Sequence, residues 1–339
     1  MRLIKTEDAV GHVLCHDMTQ IIKDKYKDAR FRKGHVVTEE DIPVLLSMGK
    51  EHLYVWEMTS GMVHENDAAE RLLTLCGQEN MLRSEVKEGK IELKAACDGV
   101  FLVDSQRLIA VNSQDEVMIA TRKGGTAVRE GDKLAGMRVI PLIIEEEKLR
   151  KAEQAAGDKP LLSLKPYVRK TACIVATGGE VKKGLIKDTF TPVVIDKLKT
   201  YGIETLEVVY SGDGVENVRD AVLAMREKKP DMILCTGGMS VDPDDNTPGA
   251  IKKSGANIIS YGAPVLPGAM FLLGYFDDGM PVMGLPGCVM YAGATVFDLM
   301  LPKIAADVPV TCADLAALGE GGLCLGCKPC HYPICPFGK

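Results

Sequence analysis

The sequence predicts an α/β fold: a doubly wound, mostly parallel sheet over residues 169–308, preceded by a mixed and β-rich N-terminal region. Three observations predict it. From Thr171 to Gly238, buried-looking strand runs alternate with segments of helical period. The connections between them are short, as parallel strands joined by helices require. Several strand ends carry glycine, the residue that lets a chain turn sharply at the ligand-binding edge of such a sheet.

In chain order, residues 1–75 read as mixed structure. Ile21 to Gly34 is a basic segment, expected as a solvated hairpin or loop, with reach to a phosphate or an acidic partner face as the alternative. Thr38-Glu39-Glu40-Asp41 supplies the pattern by which Thr38 would cap a helix bearing Leu45, Leu46 and Met48 on its apolar face. HLYVW, His52 to Trp56, follows as a short strand.

Over residues 76–147 the character changes. KIELKAA, GVFLVD, RLIAVN and EVMIATR form short apolar blocks between Asp-Gly, Asp-Ser and Gly-Gly turn signals, which predicts a small β domain. The charged stretch EEEKLRKAEQAAGDKP reads as a solvated helix running into a linker at residues 148–168.

Residues 169–308 then read strand, helix, strand, helix, strand. TACIVAT is a buried strand, Thr191-Pro192 opens a helix with Val194, Ile195, Leu198 and Tyr201 on one face, and IETLEVVY is the next strand. Val215, Val218, Val222 and Met225 mark the second helix before DMILCTGG. Residues 309–339 form a cysteine-rich tail.

Bulk properties narrow the function classes. With 339 residues, 46% hydrophobic, 26% charged and a net charge of −6, the chain has the composition of an ordinary globular protein of two or three domains. It lacks the basic field of a nucleic-acid binder and any apolar run long enough to span a membrane, so neither partner is expected. No secretory leader is legible, and seven of the eleven cysteines are scattered singly, as in reduced and mostly buried thiols; a cytoplasmic location is expected. A homo-oligomer is also expected.

The chemistry concentrates in glycine loops. Thr177-Gly178-Gly179-Glu180, Thr236-Gly237-Gly238 and Leu285-Pro286-Gly287 each follow a strand, and such loops aim backbone amides at an anion. The second continues through Ser240 to Asp242, Asp244 and Asp245 and then Thr247-Pro248. Acids crowded beside a phosphate-ready loop repel one another unless a divalent cation or a donor-rich ligand lies between them, which makes Mg²⁺ an expected cofactor. The simpler reading is a solvated acidic loop in which Asp245 caps the following helix.

TGGMSVDPDDNTPGA resembles the signature loop of the molybdenum-cofactor biosynthesis domain shared by molybdopterin adenylyltransferases and molybdenumtransferases. ATGGEVKKGLIKDT looks like the family's first loop, VLPGAMFLLG its third, and GLPGCVMYAGATVFDLMLPKI the loop and helix that close the site. Residues 8–56 are similar to the N-terminal region of the molybdenumtransferases, the type to which the second loop is also closer. Ala269 stands where the family has Lys, and Cys288-Val289 where it has Asn-Pro.

The resemblance implies molybdopterin as ligand or substrate. Thr177, Gly178, Gly179, Thr236, Gly237, Gly238, Ser240, Thr247, Pro267, Gly268, Pro286 and Gly287 would line it. Glu180, Asp188 and Asp245 would be the catalytic acids. An enzyme of this type would transfer an adenylyl group from ATP or insert molybdate, and would serve a client molybdoenzyme. A non-catalytic cofactor carrier, or a redox-responsive sensor that uses the tail, is the alternative.

The tail reads Cys324-x2-Cys327-x2-Cys330-His331-x3-Cys335-Pro336, one residue longer than the cluster run of bacterial ferredoxins. An iron–sulfur cluster, Zn²⁺ held by four cysteines or by three and a histidine, and a metal-free redox or sulfur-handling tail all fit this spacing, with Cys312 as a substitute ligand. So few apolar anchors are visible in the tail that a metal staple is expected to fold it.

Overall fold

The computed structural model describes residues 2–22, 26–55, 61–179, 185, 187–242 and 245–339. The chain divides into two compact units. Unit 1 comprises residues 1–96, 103–124 and 131–163; unit 2 comprises 97–102, 125–130 and 164–339.

In unit 1, β1 (Arg2–Lys5) pairs antiparallel with β4 (His52–Val55), and β2 (Met18–Ile22) pairs with β3 (Tyr26–Phe31) as the hairpin expected of the basic segment. Leu14, Met18, Phe31, Leu45 and Leu53 pack together with α1 (Asp41–Ser47). Thr38 does not cap that helix with its hydroxyl. The roles are reversed: the Asp41 carboxylate accepts from both the amide and the hydroxyl of Thr38 at 2.8 Å, and pairs with His35 Nε2 at 2.6 Å.

Next in the chain come β5 (Met62–His64) and α2 (Glu65–Cys76), then β6 (Met81–Arg83), β7 (Lys90–Ala95) and β8 (Gly99–Val103), the last of which, Val103 apart, falls within unit 2. RLIAVN departs from the β expectation. It lies in α3 (Ser105–Asn112), capped by the Asp104 carboxylate, which accepts from the Arg107 amide at 3.1 Å. An apolar run this short fits either state, and the Asp-Ser pair that looked like a turn is a helix start. β9 (Val117–Thr121), β10 (Thr126–Val128), β11 (Lys133–Val139) and β12 (Ile143–Glu145) follow. The order β6-β7-β11-β9 makes a four-stranded antiparallel sheet. α4 (Glu146–Ala156) is the expected charged helix, ending at Gly157 with φ +65°, and β13 (Leu162–Pro166) follows it. Like β8, β10 and most of β13 fall within unit 2.

Unit 2 carries the doubly wound sheet. β14 (Thr171–Thr177), α5 (Phe190–Lys199), β15 (Glu204–Ser211), α6 (Val215–Glu227) and β16 (Met232–Thr236) run as the periodicity predicts. α7 (Thr247–Lys253), β17 (Asn257–Tyr261), β18 (Leu272–Tyr275), β19 (Pro281–Leu285), α8 (Val296–Ala305) and α9 (Cys312–Ala316) complete it. The sheet order is β15-β14-β16-β19-β18-β17, parallel through β19 and antiparallel for the last two pairings.

Strand side chains alternate between two cores, the period-two signature of a sheet covered on both faces. Ala172, Ile174, Met232 and Leu234 join Val194, Leu198, Phe297 and Leu301 of α5 and α8. Cys173, Val175, Ile233 and Cys235 join Val218, Val222 and Ile251 of α6 and α7. Among the described residues no helix is long and apolar enough to cross a membrane.

Candidate functional site

Register brings the glycine loops to one edge. Ala176 lies beside Thr236 and Thr236 beside Leu285, so β14, β16 and β19 end level with one another. β18 runs the opposite way with Leu272 beside Gly284, which puts the start of that strand, and Pro267-Gly268 just before it, at the same edge.

The first two loops interlock. The Thr177 hydroxyl donates to Thr236 O at 3.0 Å, and the buried Thr247 hydroxyl donates to Gly237 O at 2.8 Å. Gly237 has φ +83°, and a Cβ there would lie 2.5 Å from Thr177 O; at Gly238 one would lie 2.7 Å from Thr247 Oγ1. Glycine is therefore required by close packing between β14, β16 and α7. Ser240 is exposed beyond the loop, and Tyr261 OH donates to Met239 O at 2.9 Å, tying the loop to β17.

Asp245 does not cap α7. The N-cap is Asn246, which makes no side-chain cap and instead donates Nδ2 to Asp213 O at 3.0 Å; proline in the first turn has no amide N–H that would need an acceptor. The half-buried Asp245 carboxylate is left at the loop, close enough to Tyr261 to add to the burial that raises the phenol's pKa. Asp242 is exposed, and Asp244 lies outside the described residues.

The first loop holds a residue that the motifs did not single out. The Asp213 carboxylate accepts from the Gly179 amide at 2.8 and 3.0 Å, so an amide expected to face an anion already has one. Its signal in the sequence is weak, an Asp between glycines after β15. Gly178 has φ +138°, and Glu180 lies outside the described residues.

Asp188 sits before α5. Its Oδ1 accepts from the amides of Phe190 and Thr191 at 2.9 and 3.0 Å, and its Oδ2 from Tyr210 OH at 3.1 Å. Burial pushes this carboxyl up, but the donors of Thr191, Phe190 and Tyr210 outweigh it and hold the pKa below the ordinary value.

The third and fourth loops close the edge. Gly268, φ +123°, lets Val296 come so near that a Cβ would lie 2.7 Å from its Cγ1. Pro286 precedes a short 3-10 turn, Gly287–Met290, and a Cβ on Gly287 would meet nothing within 4 Å. Met290 Sδ accepts from the Thr189 hydroxyl at 3.1 Å, linking the fourth loop to the first. Cys288 does not carry an activated thiol: burial raises its pKa, in excess of what its own amide lowers. Lys197, also unnoticed in the sequence, pairs with Asp298 at the start of α8.

The tail has more apolar anchors than its sequence suggests. Phe337 is buried, and Cys324, Tyr332 and Cys335 pack against the core of unit 2. Cys312, Cys327 and Cys330 are exposed. Among the described residues no group of three or more His, Cys, Asp or Glu is gathered as a metal ion requires, the four tail cysteines included.

Comparison with known proteins assigns the domain. The model of a family described as "probable molybdopterin binding domain" matches residues 173–306, and that of a domain of unknown function matches residues 3–57. A molybdopterin molybdenumtransferase of Synechococcus elongatus is 23% identical over 217 residues, 60% of this chain and 51% of that protein. A CinA-like protein of Petrotoga mobilis is 31% identical over 83 residues, 24% of this chain and 20% of that one. The chain thus spans between a fifth and about half of these relatives. Among solved structures, the molybdopterin biosynthesis enzyme MoaB of Thermus thermophilus is 16% identical with a TM-score of 0.34, covering 42% of this chain and 98% of that one. The CinA protein of Thermoplasma acidophilum is 18% identical with a TM-score of 0.35, covering 40% and 98%. Residues 173–306 are a domain of the molybdenum-cofactor biosynthesis family, the molybdopterin-binding type.

Proposed function

We propose that the chain binds molybdopterin at the edge where the four loops meet and acts in the biosynthesis, maturation or delivery of the molybdenum cofactor. The observation that carries this reading is the convergence of Thr177, Thr236-Gly237-Gly238, Pro267-Gly268 and Pro286-Gly287 at one sheet edge within the matched domain. Backbone amides and hydroxyls there suit a phosphate, and the open space over Gly287 leaves room for a flat ring system.

In the catalytic form of the proposal, Asp245, with the Glu180 and Asp188 that the resemblance implies, would hold a Mg²⁺ ion, which would neutralise phosphate charge. Asp242 and Asp245 are the hard oxygen donors such an ion prefers; phosphate oxygens and water would complete its shell. The hydroxyls of Ser240 and Thr247 would orient the pterin phosphate towards ATP or molybdate. A specific observation favours the carrier reading: the Asp188 carboxylate is already committed to α5 and Tyr210, and the Gly179 amide to Asp213.

The test is titration of the full chain with molybdopterin, alone and with Mg-ATP or molybdate, followed by product analysis. Saturable binding that Thr236→Val and Gly238→Val abolish supports the site. Turnover in either arm, lost in Asp245→Asn, identifies the transferase. Binding without turnover identifies the carrier. Wild-type protein that binds no molybdopterin would sink the proposal.

A further inference from the structure

The C-terminal tail meets the third loop through its backbone. Leu323 bridges Leu266, the residue before Pro267-Gly268, in parallel register. The Leu266 amide donates to Gly322 O and the Cys324 amide donates to Leu266 O, both at 2.8 Å. The tail thus satisfies both polar backbone groups of Leu266, as a strand does in a ladder. Leu266 and Leu323 are 58% and 64% exposed, so main-chain bonds, and not apolar burial, hold the two segments together. Close approach is built in, since a Cβ on Gly322 would lie 2.7 Å from Pro264 O.

Further along, the tail meets the fourth loop. A Cβ on Gly293 would fall 2.8 Å from both the Cβ and the Sγ of Cys330. Turning the thiol away cannot relieve a clash with the Cβ that carries it, so any side chain at Gly293 must push the tail backbone off the loop. Beyond this contact, Tyr332 OH donates to Asp298 O on α8 at 2.9 Å, and the tail closes on itself where the Gly338 amide donates to Gly321 O at 2.9 Å. α8 also joins the third loop, because the Val296 amide donates to Pro267 O at 3.3 Å.

We propose that residues 320–339 are a strap that positions the third and fourth loops for the ligand, with the seat of Cys330 on Gly293 as its contact with the fourth loop. The strap gives no group to the ligand. Its effect is preorganisation: a loop ordered only on binding loses backbone entropy at that moment, whereas a loop already held by the strap does not. This inference rests on the reading that the glycine loops bind molybdopterin.

The test is Gly293→Ala in the full chain. The backbone of Gly293 lies outside the left-handed region, and among the described residues Cys330 alone, chain neighbours apart, comes within 4 Å of its Cβ. In the unliganded protein the amides of Leu266 and Cys324 should exchange faster. Those of β14 and β16 should keep their protection, which a general loss of stability would not spare. Molybdopterin binding should weaken about twofold to thirtyfold, the span of couplings that act through a neighbouring element. Adding Cys330→Gly, which removes the atoms in conflict, should restore both the protection and the affinity. Wild-type protein that binds no molybdopterin overturns the molybdopterin reading and this inference together. Binding that Gly293→Ala leaves intact, or that Cys330→Gly does not restore, overturns the strap alone.

Discussion

Gly237 and Gly287 stand in two of the motif loops, yet they answer to different constraints. Gly237 combines φ +83° with a backbone oxygen 2.5 Å from where a Cβ would sit, whereas Gly287 has neither. Gly237→Ala should therefore destabilise unit 2 by at least about 1–3 kcal/mol, the cost of holding an ordinary residue in a left-handed conformation. Gly287→Ala should stay within about 0.5 kcal/mol, as changes that touch no neighbour do. Denaturation of the full chain followed through unit 2 measures both, and equal losses would show that the second loop tolerates a side chain. The glycines were legible because their chemistry is local. Asp213 was not: its role arises from the Gly179 amide, 34 residues earlier in the chain, and only the parallel pairing of β14 with β15 brings the two together.

Helix α8 shows how one element ties the site to its surroundings. Thr295 and Asp298 form a reciprocal capping box, with Asp298 Oδ2 accepting from the Thr295 amide at 2.8 Å and Lys197 of α5 paired to its other oxygen. Both partners are poorly exposed, 16% for Lys197 and 11% for Asp298. Asp298→Ala should cost about 3–5 kcal/mol, because it strands the ammonium and opens the cap. Lys197→Met should cost about 1–2 kcal/mol, since the carboxylate keeps its Thr295 donors. Denaturation midpoints of the two variants test this asymmetry, and equal losses would contradict it. At the same scale, the parallel strands were readable because each is an apolar run buried on both faces. RLIAVN was misread because eight residues of helix expose too little period to distinguish it from a strand, and its Asp104 cap resembles a turn. The anchors of the tail were not legible because Tyr332 and Phe337 find their partners on α8 and the core, which spacing within the tail cannot reveal.

On the scale of the whole molecule, the two units should respond differently to acid. Unit 1 holds His16 and His64 largely out of water, and burial lowers the pKa of both from the ordinary 6.5; Lys50 and His64 lower His16 further, and Asp17 opposes. An imidazole kept neutral in the fold takes up its proton on unfolding, so its stabilising contribution is complete above 6.5 and drains away as pH falls from there through the lower folded value. Glu65 works the other way, because burial raises its carboxyl from 4.5 despite Arg138; its gain on acidification lies between that raised value and 4.5 and opposes the loss at the histidines. In unit 2, Asp188 and Asp231 carry depressed values, burial being outweighed by hydrogen bonds from Thr191 and Phe190 to the first and from Lys170 and Thr171 to the second. Their contribution is complete above 3.8 and is lost only as pH falls below it towards their folded values. Between about pH 7 and 5, hydrogen exchange corrected for its intrinsic rate should therefore show β7 and β11 losing protection while β14 and β16 keep theirs. His16→Gln should flatten the response of unit 1 and leave that of unit 2 unchanged. Parallel loss in both units would mean that the buried histidines do not govern acid sensitivity.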